Sequence, residues 1–96
     1  MATLYVWESP QATLDMYDRV NASIERPPEG SLCHFACERD GGGLLVIEVW
    51  ENEEAQDRWN NVVQEKIKAA GGPGRPEPRK YRVHNMRLRD EETASR

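Results

Sequence analysis

The sequence predicts a single α+β domain of order β-α-β-β-α-β, built on a four-stranded antiparallel sheet. Three observations carry that reading. Four runs rich in β-branched, aromatic and aliphatic residues alternate with two segments of helical period. A glycine stretch, Gly41-Gly42-Gly43, joins the two middle runs as a hairpin turn would. Prolines and glycines break the chain where the elements should end, at Pro10, Pro27-Pro28 and Gly71-Gly72-Pro73.

Thr3-Leu4-Tyr5-Val6-Trp7 reads as the first strand, closed by Ser9-Pro10. From Thr13 to Ile24 a step of about 100° per residue gathers Thr13, Met16, Tyr17, Val20 and Ile24 on one face. Asp15, Asp18, Arg19 and Ser23 fall on the other, so the segment is an amphipathic helix. Arg26-Pro27-Pro28-Glu29-Gly30 cannot continue it. Leu32–Glu38 and Leu44–Trp50 are the second and third strands. With Gly41 as midpoint, the facing pairs are Glu38/Leu44, Ala36/Val46, His34/Glu48 and Leu32/Trp50.

Asn52 caps a second helix, and Glu53 and Glu54 in its first turn suit the macrodipole. It runs to about Ala70, with Ala55, Trp59, Val62, Val63 and Lys66 inward and Ile67 at the margin. After a Pro/Gly loop from Gly71 to Pro78, Tyr81–Leu88 is the fourth strand. Residues 1–88 form the domain, and Arg89–Arg96 is a polar, frayed tail.

This order is the split βαβ, ferredoxin-like arrangement. Right-handed crossovers put both helices on one face of the sheet and give the strand order 4-1-3-2. The other face is bare, yet the third strand is apolar on both sides: Leu45, Ile47 and Val49 on one, Leu44, Val46 and Trp50 on the other. A two-fold homodimer, sheet against sheet, would bury that face.

Charge and composition bound the function. Net charge is -4, with 38% hydrophobic and 31% charged residues, so no nucleic-acid footprint is expected. Arg75, Arg79, Lys80 and Arg82 are interleaved with proline and glutamate and read as a solvated loop. Cys33 and Cys37 share one strand face about 13 Å apart, too far to bridge. As buried free thiols they suit a reducing cytoplasm. No apolar run of membrane-spanning length and no signal-peptide pattern is seen, so no membrane partner is expected.

The chemistry centres on His34 and Glu48. A carboxylate beside an imidazole fixes its tautomer and favours its charged form. The pair reads as a proton-transfer device or as a cross-strand ion pair. His84 is a second candidate proton-transfer group, or an interface histidine. Tyr17 and Asn21, one helical turn apart, are placed to hydrogen-bond substrate oxygens, and Trp50 and Trp59, with Trp7, to flank a planar ligand. The bland alternatives are a surface amide and core packing. No metal site is expected from His34, Glu48 and His84, whose spacing is not diagnostic. The glycine run opens no helix and so cradles no phosphate.

With these elements in place, Val49-Trp50-Glu51-Asn52-Glu53-Glu54-Ala55, closing the third strand and opening the second helix, resembles the dimeric α+β barrel superfamily. Within it the chain is similar to the antibiotic biosynthesis monooxygenase-like proteins, from Thr3 to Leu88, and Trp50 matches a tryptophan common in them. The resemblance implies a homodimer acting on a hydrophobic, aromatic or polyketide-like small molecule without a bound cofactor. It equally accommodates a cyclase or isomerase using the same acid–base pair, or a non-catalytic ligand-binding dimer. Haem degraders in the superfamily use a histidine in the second helix. None occurs here between Glu53 and Ala70, and haem is not expected.

Overall fold

A computed structural model describes residues 1–89. The order is β1 (Thr3–Ser9), α1 (Leu14–Ala22), β2 (Ser31–Glu38), β3 (Leu44–Trp50), α2 (Glu53–Ala69) and β4 (Arg79–Arg82). All strand pairings are antiparallel, in spatial order β2-β3-β1-β4, the order the sequence predicts. The expected tail beyond Arg89 lies outside the described residues. No described helix is long and apolar enough to cross a membrane.

Side-chain caps start both helices. Thr13 Oγ1 accepts from Met16 N at 3.1 Å, and Asn52 Oδ1 accepts from Ala55 N at 2.9 Å. Thr13 is therefore the cap of α1 rather than its first turn, and α1 stops at Ala22. On α2 the buried stripe is Ala55, Gln56 and Val63, whereas Val62 is exposed, a correction to the predicted inner face. The core gathers where the helices meet β1 and β3: Tyr5, Trp7, Leu44, Val46, Trp50 and Ala55 are buried together, with Tyr17 and Trp59 packed against them.

The hairpin register follows the predicted pairs from Glu38/Leu44 to His34/Glu48. It departs at the far end, where a bulge puts Ser31 rather than Leu32 opposite Trp50 and leaves Leu32 without a ladder partner. Gly43, at φ +99°, closes the turn: a Cβ there would lie 2.5 Å from the carbonyl oxygen of Ser9.

β4 is much shorter than the predicted strand. It pairs with β1, in a register that sets Arg82 against Thr3. Just past its end, Val83 N still donates to Ala2 O at 3.0 Å. The face turned away from the helices carries Leu4, Val6, Leu45 and Ile47, flanked by Phe35 and Tyr81, which are 53% and 51% exposed. Cys33 is half-buried and Cys37 exposed, so the thiols are less buried than expected.

Candidate active site

Strand alternation turns Leu44, Val46, Glu48 and Trp50 toward the helices, and Glu48 is the charged member of that row. It is 3% exposed, and a carboxylate so buried demands partners. Trp50, two residues on, donates its indole N–H to Glu48 Oε1 at 2.8 Å. His34, directly across the ladder, lies with Nδ1 2.8 Å from Glu48 Oε2. Arg75, from the Pro/Gly loop, brings Nη2 to 3.5 Å from the same oxygen.

An ionised carboxylate only accepts, so it takes the Nδ1–H of His34 and leaves the Nε2 lone pair to accept. The Tyr17 hydroxyl, from α1, donates to Nε2 at 2.6 Å. The result is a chain Glu48–His34–Tyr17 that runs from the buried sheet to the helix layer. Burial pushes the Glu48 carboxyl up. The His34 hydrogen bond, the Arg75 charge and the Trp50 indole outweigh it, leaving the group below its ordinary value. Tyr17 is pushed up, first by burial and then by the Glu48 and Asp18 charges, so its phenol stays protonated.

The chain opens on a cavity of about 360 Å³ between α1, α2 and the sheet. Its walls are mainly apolar, among them Trp7, Val20, Val46, Trp50, Trp59 and Ile67. Tyr17, Asn21, His34, Glu48 and Arg75 are among its polar points, with Asn21 on the exposed side of α1. The structure thus gathers His34, Glu48, Tyr17, Asn21, Trp50 and Trp59 around one cavity. His84 is not part of its lining: it lies past the end of β4, exposed, which corrects its predicted place on the fourth strand.

Arg75 is the residue that sequence reasoning missed. Predicted as part of a solvated loop, its side chain is only 11% exposed. The guanidinium stacks on Trp7, 3.7 Å from the ring centroid, and reaches Asn60 Oδ1 at 3.3 Å, while its backbone N–H donates to Gln64 Oε1 at 3.3 Å. A signal was available. A glutamate between Val46 and Trp50 on an inward face needs a cation, and Arg75 alone among the loop's basic residues is bracketed by Pro73-Gly74 and Pro76.

No family model matches the chain, and no curated protein matches it. A solved structure does: the crystal structure of a "putative Antibiotic biosynthesis monooxygenase" from Chloroflexus aurantiacus J-10-fl. It superposes with a TM-score of 0.62 over 91% of this chain and 95% of that one, at 12% sequence identity. The chain therefore has the ferredoxin-like α+β fold of an antibiotic biosynthesis monooxygenase-like structure, the class that the order of its elements suggests.

Proposed function

We propose that this protein is a small homodimeric enzyme that removes a proton from a hydrophobic, aromatic or polyketide-like molecule in a monooxygenase-like reaction. The observation that carries the reading is the Glu48–His34–Tyr17 chain opening on an apolar cavity of about 360 Å³. A cavity of that size matches a small planar ligand. Glu48 holds the imidazole in the tautomer whose Nε2 is basic, and the apolar walls strengthen the pair. When substrate enters, the Tyr17 hydroxyl turns from Nε2 to a substrate oxygen and frees that nitrogen as the base, Asn21 orients a second oxygen, and Trp50 and Trp59 flank the rings.

The reaction needs no bound cofactor. His34 takes a proton from an activated ring CH₂, and the resulting carbanion reduces dioxygen. One oxygen atom becomes the new ring carbonyl and the other leaves as water, carrying the two hydrogens of the CH₂. The homodimer is supported by the apolar outer face of the sheet, where Phe35 and Tyr81 stand exposed.

The test is oxygen uptake with 1,8-dihydroxyanthrone, whose CH₂ flanks a ring ketone. The protein should accelerate its conversion to the anthraquinone, and His34→Ala should lower that rate by about 10²–10⁴-fold while remaining folded. A His34→Ala variant within threefold of the parent rate would remove His34 from the chemistry. Product formation without oxygen uptake would replace oxygenation by cyclisation or isomerisation.

A further inference from the structure

We infer that Arg75 is the oxyanion-binding residue of the cavity, and that the site therefore takes an aromatic molecule bearing an acidic hydroxyl or enolisable ketone oxygen. This rests on the proposed function and adds to it the substrate's charge and the group that meets it.

The argument starts from donors. A guanidinium carries five N–H donors. Here the side chain makes two long contacts, 3.3 Å to Asn60 and 3.5 Å to Glu48, and its face is taken by Trp7. The side chain lines the apolar cavity, and it also borders a smaller polar cleft of about 210 Å³ reached past Asn60 and Gln64. A buried cation with donors to spare, at the edge of an apolar space, is a site for a partial or full negative charge.

Geometry and charge balance agree. Arg75 Nη2 and His34 Nδ1 touch the same oxygen, Glu48 Oε2, at 3.5 and 2.8 Å, so they are at most 6.3 Å apart. Both groups also line the cavity, so one substituted ring there can turn its acidic hydrogen toward His34 Nε2 and its oxygen toward the guanidinium. Glu48 and Arg75 cancel each other's charge. Once His34 has taken the proton, the three groups together carry one positive charge, which the substrate anion neutralises. Without Arg75 the carboxylate would be buried with no cation at rest, and the anion would form beside it with no excess positive charge to meet it.

The experiment uses 7-hydroxycoumarin, whose phenol and phenolate absorb at different wavelengths, and its neutral counterpart 7-methoxycoumarin. The parent protein should bind the phenolate at least tenfold more tightly than the methyl ether, and the bound phenol should titrate at least one pH unit below the free one. Arg75→Gln should bring the ratio under threefold. Arg75→Lys, which keeps the charge but not the fork, should retain an intermediate preference, with circular dichroism reporting that each variant is folded. Should the parent bind both coumarins equally, the inference falls and the proposed cavity stands. Binding of neither would overturn both. Because the parent measurement needs no substitution, a variant that fails to fold leaves the inference testable.

Discussion

Trp50 and Glu48, two residues apart on β3, are locked to each other by an indole N–H to carboxylate hydrogen bond of 2.8 Å inside the core. The bond is intrastrand and same-face, so the strand's own alternation delivers it. It occupies one carboxylate oxygen and leaves the other for His34 and Arg75. Trp50→Phe keeps most of the ring volume and removes the donor. It should cost about 1.5–3 kcal/mol of stability, as loss of a hydrogen bond to a charged group does. Urea unfolding of the variant measures it, and an unchanged midpoint would show that the indole donor contributes nothing.

Acid stability should depend on Glu48. Its carboxyl sits below its ordinary value of 4.5 in the folded protein, so the unfolded chain binds the proton more readily. The stabilisation is therefore complete above the ordinary value and is lost as pH falls through 4.5 toward the folded value. Glu48→Gln should flatten that acid limb in a plot of unfolding free energy against pH. A variant with the parent's acid limb would place its origin in other carboxyls.

Tyr5 should govern the alkaline limb. Its phenol is 1% exposed and is pushed up to about 12 by burial, then by Glu53, Asp57 and Glu48. The protonated form is the one the fold tolerates, so stability is complete below 10 and declines as pH rises toward 12. The Tyr5 hydroxyl has no hydrogen-bond partner among the described residues. Tyr5→Phe should remove the alkaline decline and cost little at neutral pH. A loss above about 2 kcal/mol at neutral pH would mean that the hydroxyl is paired after all.

Much of this was legible in the chain. The His34/Glu48 pairing follows from counting outward from Gly41, because residue numbers across an antiparallel ladder keep a constant sum. Leu32/Trp50 fails the same count because a bulge is a local event with no composition of its own. The length of β4 was hidden for another reason: Tyr81–Leu88 has strand character throughout, while its ladder with β1 runs only from Val6/Arg79 to Thr3/Arg82. Arg75 was hidden because composition sees a basic, proline-rich loop and cannot see that Asn60 and Gln64 dock it.

Gly30 should be intolerant of any side chain. It has φ +89°, and a Cβ there would meet the Ala55 Cβ at 2.6 Å, at the start of α2. Gly30→Ala should cost about 2–4 kcal/mol, from backbone strain plus overpacking. Gly42, at φ +100° with nothing within 4 Å of its virtual Cβ, is the control. Gly42→Ala should cost only the backbone term, about 1–2 kcal/mol. Equal costs in thermal unfolding would mean that the contact with Ala55 relaxes freely.

The outer face of the sheet predicts assembly. The parent should scatter light as twice 11.0 kDa at micromolar concentration, and Phe35→Glu, placing a charge on the exposed edge of that face, should return it to 11.0 kDa. A parent that stays at 11.0 kDa refutes the homodimer.

The chain has three tryptophans, and Trp7, Trp50 and Trp59 all stand in the wall of the apolar cavity. With no indole elsewhere to add a constant background, the whole of the protein's tryptophan emission originates at the place where a ligand would sit. Occupancy can thus be titrated without a label, and candidate molecules can be screened by how they quench or shift that light. The molecule carries its own optical gauge, and it reads even a ligand that undergoes no reaction.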